Sequence, residues 1–385
     1  MRAPRSSVAA RSLRVALLLA LASAFAPPRL AAKAPPALPW SRADLPGAHY
    51  ASAIVVARLD GDSLRDVAFT DYGANQVRVF LNLGHRGFVR GGDVEVGFAP
   101  QDLAAGDIDG DGVVDLVAAN EGSSSVTILR GDGDGGFEAQ ADLPAGGGAN
   151  SVALADFNRD GRLDIATANM IRKTLSILYG DGHGLFAPPE PLAAAMAPMN
   201  VGVGDLDGNS YPDIVAADHL DNTVGVFPGR AGNLFGPRVD HPVGRRPCGL
   251  AVGDVDGDGV DDVVVTHLQS DQVWIIYGRT TPGYRARRSF GTGHRPFEAA
   301  IADFDGDRAL ELAVSLEDDD AVAFYEARGD RRFSKRGVVP VGAGPRAVAA
   351  GDLDGDGRAD LVVASPKGRS VSILWNDGSS AGRAR

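Results

Sequence analysis

Three observations predict an all-β fold, a seven-bladed β-propeller of four-stranded antiparallel blades whose last blade is closed by the N-terminal strand. A nine-residue acidic frame opens at Arg58, Asp107, Asp156, Asp205, Asp254, Asp303 and Asp352, each start 49 residues after the one before. Four short apolar runs separated by turn residues fill every period, the signature of an antiparallel meander repeated around an axis. The chain ends also fit together. The last repeat runs out through Asn376-Asp377-Gly378 with Gly382 where an outer-strand aromatic would fall, while Pro39-Trp40-Ser41-Arg42-Ala43-Asp44-Leu45-Pro46 stands alone before the first repeat. That segment resembles the outer strands elsewhere, as in Ala141-Asp142-Leu143-Pro144. Closing the ring with it removes two sheet edges that would invite aggregation.

Taken in order, the chain opens with Arg2, Arg5, Arg11 and Arg14, an apolar run from Val15 to Ala26, and small residues including Ala22-Ser23-Ala24. This is the layout of a secretory signal peptide, so residues 1–34 are expected to be a signal and short leader, cleaved after Ala24, and the protein is expected to be exported to the periplasm or beyond. Loss of residues 1–24 would take the formal charge from −12 to −16 (−12 − 4). An acidic chain of this kind is a poor partner for nucleic acid or an anionic membrane. No later stretch is long and apolar enough to span a bilayer. Cys248 is the single cysteine, so no intrachain disulfide can form, and it is expected to be an unreactive loop residue.

The propeller is expected over residues 38–378, a single domain, with a short basic tail over 379–385. In the repeat around Asp156, Ser151–Ala155 reads as the first strand, Asp164–Asn169 as the second, Leu175–Tyr179 as the third, and a fourth opens at Phe186. Columns 49 residues apart support this. The third strand begins with Val77, Val126, Leu175, Val224, Val273, Val322 and Val371; the fourth with Phe88, Phe137, Phe186, Phe235, Tyr284 and Phe333, a set suited to packing between blades. The first strand carries small residues at Ala57, Gly106, Ala155, Gly204, Gly253, Ala302 and Gly351, as crowding near an axis demands.

The acidic frame places oxygen side chains at its first, third, fifth and ninth positions on a tight loop with Gly at the bend. Carboxylates this close repel one another unless a cation sits among them. Oxygen-only donors favour Ca²⁺ over zinc or copper. An EF-hand would need Glu at the twelfth position, where Ala118, Val265 and Val363 stand. RTX nonapeptides would recur every nine residues, and these do not.

Pieces such as Gly351-Asp352-Leu353-Asp354-Gly355-Asp356-Gly357 and Asp360-Leu361-Val362-Val363-Ala364 resemble the FG-GAP (VCBS-like) repeats known from the integrin alpha-chain propeller and from many secreted bacterial proteins. The resemblance implies a seven-bladed propeller with Ca²⁺ in the hairpin loop between the first two strands of a blade, and about five or six sites. Carried over residue by residue, three frames are complete: Asp107, Asp109, Asp111 and Asp115; Asp254, Asp256, Asp258 and Asp262; Asp352, Asp354, Asp356 and Asp360. Asp156, Asn158, Asp160 and Asp164 include an amide, and Arg159 replaces a Gly. Asp205, Asp207, Asn209 and Asp213 carry Ser210 at the bend. Asp303, Asp305, Asp307 and Glu311 carry Arg308 there. The first frame offers only Asp60, Asp62 and Asp66 behind Arg58 and is expected not to bind.

No zinc spacing or triad motif surrounds His219, His267 or His294, and no repeat has grown a loop to build a pocket. Arg130-Gly131-Asp132 and Arg328-Gly329-Asp330 spell an adhesion tripeptide, but at different places in their repeats, within ordinary Gly/Asp turns. The meander puts the acidic loops and the third-to-fourth turns on one rim. On the other rim polar chemistry varies most, through the column Asp71, Asn120, Asn169, Asp218, His267, Leu316 and Ser365. There Arg245, Arg246, His294, Arg295, Arg346, Lys367 and Arg369 lie near Glu317, Asp318, Asp319 and Asp320. The expected function is that of an exported, monomeric, calcium-binding module whose ligand-binding rim, including Arg245, Arg246, His267, His294, Arg295, Glu317 and Asp318, takes a protein or glycan. A carbohydrate-active enzyme of the polysaccharide lyase kind on the same propeller is the alternative, and an unspecific scaffold a further one.

Overall fold

A computed structural model describes residues 38–378 except 195, 233, 280–286 and 330. The expected leader over 1–34, the basic tail over 379–385, Tyr284 and Asp330 lie outside the described residues. The described chain forms seven antiparallel blades, each counted from its innermost strand outward. Blade 1 runs through Ala51–Ala57, Asp66–Asp71, Gln76–Asn82 and Phe88–Glu95. In blade 2, Pro100–Gly106, Asp115–Asn120 and Ser125–Gly131 are flanked by an outer strand split into Phe137–Ala139 and Leu143–Pro144. Blade 3 is Ala149–Ala155, Asp164–Asn169, Thr174–Leu178 and Glu190–Ala193; blade 4 is Pro198–Gly204, Asp213–Asp218, Thr223–Phe227 and Val239–Pro242. Blade 5 is Pro247–Gly253, Asp262–His267, Gln272–Ile276 and Arg287–Gly291, and blade 6 is Pro296–Ala302, Glu311–Leu316, Ala321–Ala327 and Phe333–Pro340. No helix among the described residues is long and apolar enough to cross a membrane.

Among the described residues, blade 7 has three strands from its own repeat, Ala347–Gly351, Asp360–Ser365 and Ser370–Asn376. Its fourth is Trp40–Leu45, antiparallel to Ser370–Asn376 from Trp40 opposite Asn376 to Leu45 opposite Val371. Apolar contact fixes this strand from both sides. Trp40 stacks on Phe324 of blade 6 at 4.7 Å and meets Phe304 edge-on at 6.0 Å, while Leu45 is buried with Val371 and Ile373.

Every second strand is buried along its whole length, because both its faces meet neighbouring blades. Hence its central residues run together as mostly apolar side chains rather than an alternation, as in Val263-Val264-Val265 and Leu361-Val362-Val363-Ala364. The small residues of the first strand are needed for contact between blades. A Cβ on Gly204 would come within 2.5 Å of Val252 of blade 5, and one on Gly351 within 2.7 Å of Val56 of blade 1.

The outer strands depart from the sequence expectation. They open at Phe88, Phe137 and Phe333 in blades 1, 2 and 6, but Phe186 makes only an isolated bridge to Gly180, and Phe235 closes a small hairpin of Gly229–Arg230 with Leu234–Phe235. Pro188 and Pro189 follow Phe186, and Pro237 follows Phe235. A proline has no N–H for the ladder, so the outer strand starts later, at Glu190 and Val239. The aromatics still pack between blades: Phe235 against Phe157, Phe333 against Phe290, and Phe88 against Trp375.

Candidate metal loops and the opposite rim

Each acidic frame bridges the first and second strands of a blade, and its ninth residue begins the second strand. That carboxylate is buried and acts as a clasp. Asp262 accepts N–H bonds from Val255 at 3.1 Å and Gly278 at 2.8 Å, tying the loop to the end of the third strand. Asp115, Asp164, Asp213 and Asp360 repeat this pair of bonds, as does Asp66 in the first frame. The first carboxylate folds back onto its own loop: Asp254 accepts from Gly257, Asp258 and Gly259. Non-glycine residues are forced into the same shape, with Arg159, Ser210 and Arg308 at φ 60, 67 and 75. Each such position costs on the order of 1 kcal/mol.

Carboxylate oxygens converge within 4.8 Å in five frames: Asp107, Asp109 and Asp115; Asp205, Asp207 and Asp213; Asp254, Asp256 and Asp262; Asp303, Asp305 and Glu311; Asp352, Asp354 and Asp356. The frames at Arg58 and Asp156 are not among them. In the latter, Asn158 donates its amide to Asp160 at 3.1 Å. Burial, reinforced by the neighbouring carboxylates, pushes Asp262 up to about 7, Glu311 to about 7 and Asp360 to about 6. Asp109 Oδ1 and Asp354 Oδ1 are buried with no hydrogen-bond donor. Oxygen-only donors, excess negative charge and orphaned carboxylate oxygens fit a hard divalent cation. Arginines already hold the third-position residues from outside the loops: Arg130 on Asp109, Arg331 on Asp256 at 2.6 Å, Arg336 on Asp305 at 3.0 Å and Arg86 on Asp354 at 2.7 Å. Arg86 and Arg331 reach across a blade boundary to do so. Arg130 is thereby committed to Asp109, and Asp132 caps its own turn by accepting from Asp134 and Gly136, so the first adhesion-like tripeptide serves its hairpin.

The opposite rim differs from the sequence expectation. The column Asp71, Asn120, Asn169, Asp218, His267, Leu316 and Ser365 is buried, not displayed. Its polar members brace the turns and links around them: Asp71 accepts N–H bonds from His49 and Tyr50 in the link before blade 1, and Asn120 donates to Ser125 and Thr127 of its own blade's third strand. His267 shares Nδ1 with the Gln272 carbonyl at 3.2 Å, and burial drives its pKa down to about 4, so it is neutral. Of the charged residues, Glu317 is 1% exposed and holds Arg295 at 2.8 Å, Arg346 at 3.0 Å and Lys367 at 3.1 Å. Asp318 lies at the edge of this group, 3.6 Å from Arg295, and His294 pairs with Asp319 at 2.6 Å. These charges largely satisfy one another. Arg245 and Arg246 are exposed and enter no ion pair among the described residues.

Two acids lie deeper, where the first strands surround the axis. A cavity of about 110 Å³ is lined by Ser52, Gln101, Asn150, Cys248, Phe297 and Arg346 with Asp102 and Glu298. Asp102 accepts from Ser151 and Val152 of the next blade, and Glu298 from Val348 of the next. Cys248 belongs to the first strand of blade 5 rather than to a loop, and burial raises its thiol to about 12. Burial, then the charge of Asp102, raises Glu298 to about 8 from 4.5. Between those values the folded chain holds a proton that the unfolded chain has released, so stability falls as pH rises through that window, by at most about 1.4 kcal/mol per pH unit. Glu298→Gln is expected to shallow that decline. Melting temperatures at saturating Ca²⁺ at pH 5 and pH 9 test it; an unchanged difference from the parent would rule the assignment out.

The repeat model described as FG-GAP-like repeat matches residues 58–118, 107–167, 205–265, 254–314 and 303–363, and the one described as FG-GAP repeat matches 344–384. No curated protein sequence matches. Among solved structures, BBS1N in complex with ARL6DN is similar at a TM-score of 0.65 and 15% identity, covering 89% of this chain and 98% of that one. A streptogramin B lyase is similar at 0.61 and 15%, covering 87% and 97%. Virginiamycin B lyase from Staphylococcus aureus is similar at 0.59 and 12%, covering 87% and 99%. At such identities the likeness is one of fold.

Proposed function

The chain belongs to the FG-GAP repeat family, and from that premise we propose that it is an exported, calcium-stabilised binding module that engages a protein or glycan through the rim opposite its acidic loops. One observation carries this reading. The acidic loops repeat the same carboxylate clasp from blade to blade, whereas the opposite rim changes its side chains at every blade. Uniform loops suit a shared structural task, and a varied rim on a rigid ring suits recognition. BBS1N, a propeller of similar fold, is in complex with a protein partner. The five converging frames would hold Ca²⁺, whose chemistry here is to neutralise the loop carboxylates and lock each first hairpin. The leader over 1–34 accounts for export, and the chain acts as a monomer.

The test is capture on a glycan array and from extracts of the native envelope, at low and high ionic strength with Ca²⁺ present. Arg245→Ala with Arg246→Ala should lower capture at low salt while leaving melting unchanged, because unpaired surface cations act at long range. Capture lost instead on changing Asp134 or Gly182, in turns of the acidic rim, would place the site on the other face. Turnover of a polysaccharide panel would replace the binding reading with the enzymatic one.

A further inference from the structure

The variable rim is built from equivalent knuckles, and comparing them blade by blade separates two halves. Each knuckle joins one residue of the inter-blade link to one in the second-to-third turn. In several blades a backbone bond joins the two positions, as from Gly122 N–H to the Phe98 carbonyl, Leu220 to Met196 and Gln269 to Arg245. Reading the two positions together, blade 2 has Phe98 and Gly122, blade 3 Gly147 and Ile171, and blade 4 Met196 and Leu220. Blades 5 and 6 have Arg245 with Gln269 and His294 with Asp318, and blade 7 has Ala343 with Lys367. Phe98, Ile171, Met196 and Leu220 are 65%, 65%, 40% and 52% exposed. Half of the large hydrophobic side chains found exposed in the described chain therefore fall at one structural position on three successive blades. Scattered exposed apolar residues need no explanation, but an apolar arc does.

The charge around the arc indicates what covers it. Arg172 and Lys173 follow Ile171 on blade 3, and Arg245 and Arg246 stand beyond Leu220 on blade 5; all four are exposed and enter no ion pair among the described residues. Glu121, Asp221 and Asp271 are acids in the turns of blades 2, 4 and 5, and each accepts a hydrogen bond: Glu121 from Gln101, Asp221 from the Met196 N–H and Asp271 from the Arg295 N–H. In a chain of net charge −12, four unpaired cations beside exposed Phe, Ile, Met and Leu form a local exception. Deepening the binding reading above, on which this rests, we propose that blades 2 to 4 dock an acidic, apolar-studded segment of a protein partner, its aliphatic or aromatic side chains on the arc and its carboxylates on Arg172, Lys173, Arg245 and Arg246. A planar anionic surface fits less well. The same rim carries Asp318, 48% exposed, and Asp319 on blade 6, which such a surface would meet when lying flat. A segment following blades 2 to 4 avoids them.

The test begins with a random-peptide library selected on the full chain in Ca²⁺ at low salt, followed by titration of one labelled selected peptide by fluorescence anisotropy. The expected peptides combine Leu, Ile or Phe with Asp or Glu. Ile171→Ser with Leu220→Ser should weaken that peptide at least about tenfold, as should Arg172→Glu with Arg246→Glu, with melting temperatures held. Arg295→Ala with Lys367→Ala, on the charged half, should weaken it far less than either of those pairs, with melting temperature read alongside because both residues hold Glu317. Selected peptides of another character, or binding that survives the Ile171 and Leu220 changes, would overturn the proposal. So would phosphatidylglycerol vesicles that bind through the same residues when no peptide does. Peptide binding abolished only by the Arg295 and Lys367 changes would overturn the arc while leaving the module a binder; absence of any peptide, glycan or envelope ligand would overturn both.

Discussion

Deletion of residues 38–47 is expected to open the ring and destroy its single cooperative melt. The deletion removes Trp40 from its stack on Phe324 and Leu45 from the cluster around Val371. Burial of Leu45 and partial burial of Trp40 together contribute about 2–5 kcal/mol, and each ladder hydrogen bond to Ser370–Asn376 adds about 1 kcal/mol. A loss of about 5 kcal/mol or more is a large share of the 5–15 kcal/mol typical of a folded domain. Ser-Val-Ser-Ile-Leu-Trp-Asn would then form an exposed, largely apolar edge, a template for aggregation. Scanning calorimetry with size-exclusion chromatography reads the outcome, and a synthetic peptide of residues 38–47 added in trans should recover part of the lost melting temperature. A variant that melts as the parent does would eliminate closure by this strand.

Chelation of Ca²⁺ is expected to have the next largest effect. With free Ca²⁺ about tenfold above Kd, each occupied loop contributes roughly 1.4 kcal/mol, and five independent loops about 7 kcal/mol. The gain in melting temperature on adding Ca²⁺ to chelator-treated protein should shrink with Asp254→Ala plus Asp256→Ala. It should be unaffected by Asp60→Ala plus Asp62→Ala, whose frame does not converge. Comparing the gain rather than the absolute melting temperature matters, because Asp256 also anchors Arg331 in the absence of metal. Equal effects of the two pairs, or no effect of chelator, would defeat the ranking of sites.

The repeat made the ring legible. A 49-residue register fixes which residues share a position, so the three inner strands of every blade and the closing role of Trp40–Leu45 follow from alignment of the chain with itself, while the outer strands of blades 3 and 4 are displaced by local prolines. Two features of the rim escaped for physical reasons. A polar residue ending a strand, such as Asn120 or His267, can face water or turn inward onto its own blade, and only the fold shows that this column is buried. Charge pairing is similarly hidden, since Glu317 gathers Arg295, Arg346 and Lys367 from three separate stretches of chain. The apolar arc did leave a signal. Phe98, Met196, Ile171 and Leu220 stand in columns otherwise occupied by Gly, Ala, Arg, His, Gln, Asp and Lys, and a large hydrophobe in a column of small and polar residues marks an exposed position rather than a core one.

The pairing of Trp40–Leu45 with Ser370–Asn376 also sets an order of events during synthesis. The closing strand is made before any blade, yet its partner is the last strand of the propeller to be made. Blades 1 to 6 can each form hairpins from neighbouring residues as the chain lengthens, but the contact that completes the circle has the longest sequence separation of any strand pair among the described residues. Such contacts form late, after the loop entropy they close has been overcome. Completion is therefore a checkpoint on the whole chain. A polypeptide stopped before Ser370 leaves Trp40–Leu45 without its partner and the ring unfinished, with the strand edge and apolar side chains that closure covers left exposed.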